Sequence, residues 1–207
     1  MYKRQLAVCA HEDDELLGLG ALLAASPDVG VLCTSRSRDP RRAGEYQAAL
    51  ECLGARGVNS VGELADRRPA QVLSFGLHDG HQEHRRAGAL AYLLAIRLGV
   101  PLFEFGVFSP VGMRTATHAY CYGSEFDKSD LFETLYPSQQ HLRRAVVALG
   151  RWERYQARQF GLGGAAELYR IRLASGADCG PIVGIRPEPE AGVYRELEYF
   201  RQRRATN

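Results

Sequence analysis

Apolar positions along this chain come in two kinds of block, short continuous runs and longer stretches with helical spacing, and the two alternate from the start. Residues 5–10 and 29–34 are runs of the sort that become buried parallel strands, and residues 16–25 between them form good helix sequence. This alternation predicts a right-handed βαβ opening. A second helix begins at Pro40, with small or apolar residues at Ala48, Ala49, Cys52 and Leu53, and is closed by Gly54 and again by Gly57. Residues 58–64 and 71–75 read as short strands, joined by a connection over 65–70 too short for a crossover helix. Residues 87–98 predict an apolar helix ending at Gly99, and 100–108 a strand whose Pro101 belongs near an edge or at a start. Beyond it lie a strand over 113–122, one long arginine-rich helix over 137–160 and a late strand over 167–173. The expected fold class is α/β: a Rossmann-like three-layer fold with a mostly parallel sheet, in a single domain.

That domain is expected to span residues 1–177. Residues 178–207 hold Pro181, Pro187 and Pro189 and then an amphipathic stretch over 193–203, which reads as a C-terminal extension packed on the domain or on a partner subunit of a homo-oligomer. Neither an internal repeat nor a low-complexity tract interrupts the chain.

Composition narrows the function. Basic and acidic residues, 26 and 24 in number, are mixed along the chain, so there is no electrostatic footprint for nucleic acid or a membrane surface. No run reaches the ~20 apolar residues of a membrane span, and the N-terminus enters a strand rather than a signal-peptide core. The expectation is a cytoplasmic protein. Cys9, Cys33, Cys52, Cys121 and Cys179 are widely spaced and odd in number, which fits buried thiols rather than disulfides.

The chemistry concentrates in two strand-to-helix turns. The first, His11-Glu12-Asp13-Asp14-Glu15, sets an imidazole beside four consecutive carboxylates, and acids crowded this way call for solvation, protonation or a cation. The second, from His78 to Arg86, holds His78, His81 and His84. A catalytic zinc takes about three protein ligands, commonly histidines with a carboxylate, and keeps a position open for water. If both turns open on the same sheet edge, His11, Asp14 and His84 can meet around one ion, with Asp13 and His81 beside it.

Other features have ordinary explanations. His78, His118 and His141 read as surface or structural histidines, and Gly18-Leu19-Gly20 lacks the third glycine of a dinucleotide loop. Arg36, Arg38, Arg41 and Arg42 are most simply solvated surface, although their place after the second strand also suits an anionic or hydroxyl-rich substrate.

The string Ala10-His11-Glu12-Asp13-Asp14-Glu15 resembles the AHPDDE signature of the zinc-dependent de-N-acetylases of the PIG-L or LmbE-like family, and His81-Gln82-Glu83-His84-Arg85-Arg86-Ala87 resembles their HPDHRA segment. Arg42-Ala43-Gly44-Glu45 is similar to the family's R-x-x-E helix, and Tyr136-Pro137-Ser138-Gln139 to a Ser-Gln element that follows a lysine such as Lys128. Glu12 stands where the family has proline, and Glu83 where it has aspartate. The resemblance implies a zinc cofactor (Zn2+) held by His11, Asp14 and His84, with Asp13 as general base. It also implies that His81 stabilises the oxyanion or protonates the leaving amine, and that Arg42 faces the substrate, a small-molecule N-acylated amino sugar or related metabolite. Glu15 is expected to be charged in the first turn of its helix. Two alternatives remain at this level: a metal- or sugar-binding module of the same fold without turnover, and an amidase acting on a non-sugar N-acyl metabolite.

Overall fold

A computed structural model of the chain describes residues 5–26, 28–60, 62–63, 68–107, 116–173 and 183–184. In chain order the elements are β1 (Gln5–Cys9), α1 (Asp14–Ala25), β2 (Gly30–Cys33), α2 (Pro40–Cys52), β3 (Arg56–Val58), β4 (Gln71–Phe75), α3 (Gln82–Leu98) and β5 (Leu102–Phe105). They are followed by β6 (His118–Tyr122), α4 (Lys128–Leu135), a 3-10 helix (Pro137–Leu142), α5 (Arg143–Gln159), β7 (Ala165–Leu173) and β8 (Val183–Gly184).

The strands form one sheet in the order β3-β2-β1-β4-β5-β7-β6-β8. The first five run parallel, and β7, β6 and β8 join antiparallel beyond β5. β1, β2, β4 and β5 are buried along their whole length. Strands covered on both faces need apolar side chains at successive positions, which is why they read as continuous runs. The fold is therefore α/β and Rossmann-like, as expected.

Two glycines let helices approach the sheet closely. A Cβ at Gly18 of α1 would lie 2.4 Å from the Phe105 ring, and one at Gly88 of α3 would lie 2.5 Å from the carbonyl oxygen of Phe75. Helix ends follow local chemistry: Asp39 caps α2 by accepting from the Arg41 N–H, with Pro40 in the first helical position, and α3 ends in left-handed Gly99.

Several elements differ from expectation. β3 starts at Arg56 and ends at Val58, where a strand over 58–64 was expected. Pro101 stands at the start of β5, one of the two places expected for it, and that strand lies inside the sheet rather than at an edge. The helix expected over 137–160 is broken: its first six residues form the 3-10 turn, and Gln139 departs from helical geometry (φ −106°, ψ 23°). His141 consequently sits in the 3-10 turn. α4 is an addition, with Asp127 capping it through the N–H groups of Ser129 and Asp130. The amphipathic stretch over 193–203 and Cys179 lie outside the described residues, and the other four cysteines are free thiols. No helix among the described residues is long and apolar enough to cross a membrane.

Candidate active site

β1 and β4 are parallel neighbours, with Val8 beside Ser74, and at β1 the strand order changes direction: β2 and β3 lie on one side, β4 and β5 on the other. Such a switch point opens a crevice at the carboxyl ends of the two strands, where ligands of α/β proteins bind. The turn after β1 and the turn after β4 therefore meet.

Asp14 organises the first turn. Its Oδ2 accepts the backbone N–H groups of Ala10 (3.2 Å) and His11 (2.6 Å), which folds the chain back over the start of α1. The same oxygen lies 3.3 Å from His11 Nδ1, while Oδ1 lies 3.5 Å from His84 Nε2. The second turn is organised by Asp79, whose Oδ1 accepts the backbone N–H of His81 (2.8 Å) and contacts His84 Nδ1 at 3.0 Å. The His84 ring also stacks on Phe75, with centroids 3.8 Å apart. With Nδ1 engaged by Asp79, Nε2 is the nitrogen directed at Asp14, the buttressed arrangement in which a histidine serves as a metal ligand.

Ring nitrogens of His11, His81 and His84 approach within 4.8 Å of one another. A divalent cation fits these residues: His11, Asp14 and His84 offer two imidazoles and a carboxylate, and one imidazole is oriented by a second carboxylate. His81 is exposed, in contrast to buried His84. Burial and the neighbouring His84 and His11 hold the His81 imidazole below its usual pKa. The hydrogen bond to Asp14 raises that of His11, against the effect of burial.

Asp13 is buried beside this cluster, and burial together with the charge of Asp14 pushes its carboxyl up to about 6 against the opposing influence of Arg42. Arg42, expected at the substrate, is engaged by the protein itself. Its Nη2 donates to Asp13 Oδ2 (3.2 Å) and to the carbonyl of Glu12 (3.3 Å). With the Gln139 amide oriented to suit its neighbours, Arg42 Nε and Nη1 donate to the Gln139 carbonyl oxygen at 3.0 and 3.2 Å.

Glu12, the residue in place of proline, is buried and accepts the Ser37 N–H at 3.1 Å. It lines a cavity of about 310 Å³ that also includes Arg36, Tyr46, Gln47 and Arg56. Glu15 is fully buried against Tyr136, and burial pushes its carboxyl up to about 8. Burial thus works against the charge expected of Glu15 in the first turn of its helix.

The structure thus brings His11, Asp13, Asp14, His81 and His84 into one cluster, with Arg42 bonded to its edge. Sequence reading missed Asp79 and Phe75, and it marked Gln139 through the Ser-Gln element without its contact to Arg42. Asp79 carried a usable signal, an aspartate in a turn ahead of a helix, where its side chain can accept the backbone N–H two residues on.

No protein-family model matches the chain, and no curated protein matches it in sequence. Solved structures do match in fold. GalB, the 4-carboxy-2-hydroxymuconate hydratase of Pseudomonas putida, superposes with a TM-score of 0.61 at 19% identity, over 86% of this chain and 99% of its own. Dbv21, the deacetylase of the antimicrobial A40926 pseudoaglycone, matches with a TM-score of 0.61 at 20% identity, over 82% of this chain and 97% of its own. N,N'-diacetylchitobiose deacetylase of Pyrococcus horikoshii matches with a TM-score of 0.54 at 15% identity, over 82% of this chain and 84% of its own. The chain therefore shares its fold with these deacetylases, structural relatives of the LmbE/PIG-L-like kind, and with the hydratase GalB.

Proposed function

We propose that this protein is a zinc-dependent amide hydrolase that removes an N-acetyl or related N-acyl group from an amino sugar or amino-sugar conjugate. GalB, a hydratase, shares the fold as fully as Dbv21 does, so the fold leaves the reaction type open and the reading rests on the site. The observation that carries it is the meeting of His11, Asp14 and His84 at the β1/β4 crevice, with a buried carboxylate and an exposed imidazole beside them.

His11, Asp14 and His84 would hold the metal, and zinc bound there supplies an acidified water and polarises the acyl carbonyl. Asp13 accepts the proton of the attacking water as the new C–O bond forms. His81, exposed and so open to substrate, would stabilise the developing oxyanion or relay to the amine, as the C–N bond breaks, the proton that Asp13 took up. The neighbouring deacetylase of N,N'-diacetylchitobiose supports the amino-sugar class, and Dbv21, which acts on the A40926 pseudoaglycone, supports deacetylation.

The test is acetate release from a panel of N-acetylglucosaminyl compounds by protein carrying about one zinc per chain. Asp13→Asn should keep the zinc and lose turnover by roughly 10²-fold or more, the usual range for a general base. Failure of the wild-type protein to release acetate from any amino-sugar substrate rejects the reading. Release from non-sugar amides alone selects the amidase alternative.

A further inference from the structure

Asp13, Arg42 and Gln139 come from three separate elements yet form one chain of contacts. Arg42, in the first turn of α2, uses Nη2 on Asp13 Oδ2 and turns Nε and Nη1 to the Gln139 carbonyl oxygen. Of the two Asp13 carboxylate oxygens, Oδ2 is the one Arg42 holds, and among the described residues no hydrogen bond reaches Oδ1. The residues around Gln139 are anchored independently. Tyr136 donates its hydroxyl to Glu15 of α1, and Ser138 donates its N–H to Glu45 of α2 at 2.9 Å, with its hydroxyl on the same carboxylate. Gln139 itself is buried and breaks helical geometry where it meets Arg42.

A four-residue segment therefore holds the starts of both α1 and α2. We infer that Gln139 is a positioning residue for Asp13, acting through Arg42, so that the carboxylate presents Oδ1 in a fixed direction. A planar guanidinium can do this because its donors form a rigid fork: bonds on one edge fix the direction of the other. The inference deepens the reading of Asp13 as general base and rests on it for its catalytic meaning. The coupling itself can be measured without activity.

The experiment uses the zinc-loaded full chain. Gln139→Leu keeps most of the side-chain volume and removes the acceptor, while Gln139→Glu restores an acceptor oxygen. Melting temperatures are compared for wild type, Q139L, D13N and Q139L/D13N, and the cycle is repeated with Arg42→Lys, which cannot hold both partners. The expected result is non-additive shifts in the first cycle and additive shifts in the R42K cycle. In acetate release, Q139L should lower kcat by about ten- to a hundredfold with KM near wild type, as expected for a displaced reacting group, and Q139E should recover most of the loss. Additive shifts in the first cycle, unchanged kcat in Q139L, or equal losses in Q139L and Q139E overturn the inference. If the wild-type protein releases no acetate, the hydrolase reading fails and the melting cycles still decide the coupling.

Discussion

His81 and His84 lie three residues apart and are held quite differently. His84 is buried between Asp79 and the face of Phe75, whereas Asp79 reaches only the backbone N–H of His81 and leaves its ring exposed. A fixed ring suits a metal ligand, and an open one suits a group that meets substrate. His81→Gln should therefore retain zinc while losing roughly 10²–10³ in turnover, and Asp79→Ala should weaken zinc binding about 10–100-fold. Titration of each variant against a competing chelator checks both, and loss of zinc from H81Q equal to that from His84→Gln would make His81 a ligand instead. The ligand types were readable in the sequence because imidazole and carboxylate declare their chemistry wherever they stand. What surrounds them was not readable. Asp79 and Phe75 matter only through contacts, the Ser-Gln element does not say what Gln139 touches, and Glu15 reads as an ordinary first-turn anion although burial pushes its carboxyl up to about 8.

Convergence of the two turns depends on β1 and β4 lying side by side, although α1, β2, α2 and β3 separate them in the chain. The buried strands were legible because a continuous apolar run admits few other readings, but a strand's neighbours are set by crossovers whose order leaves no mark in either strand. α4 was missed because eight residues hold too few turns to reveal a period, and the break at Gln139 because its cause, the grip on Arg42, is tertiary. Helix-to-sheet distance was equally hidden, and it gives a prediction. Alanine at Gly88 meets backbone, the Phe75 carbonyl, while alanine at Gly18 meets the Phe105 ring, which can turn aside. Gly88→Ala should cost about 1–3 kcal/mol through overpacking, despite the ~1 kcal/mol by which alanine favours a helix, and Gly18→Ala should cost less. Urea unfolding compares the two, and a Gly88→Ala protein as stable as wild type would contradict the close packing of α3 on β4.

The antiparallel end of the sheet is joined to the candidate site through a buried polar network. Lys128 Nζ donates to Glu153 (2.6 Å) and to the carbonyl of Leu17 in α1 (2.8 Å), and pairs with Glu167 (2.8 Å). Glu167 in turn accepts the N–H groups of Ala21 and Leu22, in the middle of α1 (2.9 and 3.1 Å), and Tyr122 donates to Glu153. Thus β7, α4 and α5 grip the helix whose start carries Asp14. One cation serves two carboxylates here, so the two partners respond differently. Burial pulls the Lys128 ammonium down, but Glu153 and Glu167 together carry it above its ordinary 10.5. For Glu153, burial and the charge of Glu167 outweigh Lys128 and raise the carboxyl. The stabilisation from charged Lys128 is complete below the unfolded value near 10.5 and is lost as pH rises through the higher folded value, whereas ionised Glu153 costs stability above its ordinary 4.5. Lys128→Met leaves two carboxylates facing each other and should cost about 3–5 kcal/mol, part of it regained on acidification as one of them protonates. Glu153→Gln keeps polar partners for Lys128 and Tyr122, leaves one ammonium with one carboxylate, and should cost far less. Urea unfolding of both variants at pH 5 and pH 8 is the measurement: equal losses for the two, or a Lys128→Met loss that grows toward pH 5, would mean that α1 is held by packing rather than by this charge arrangement.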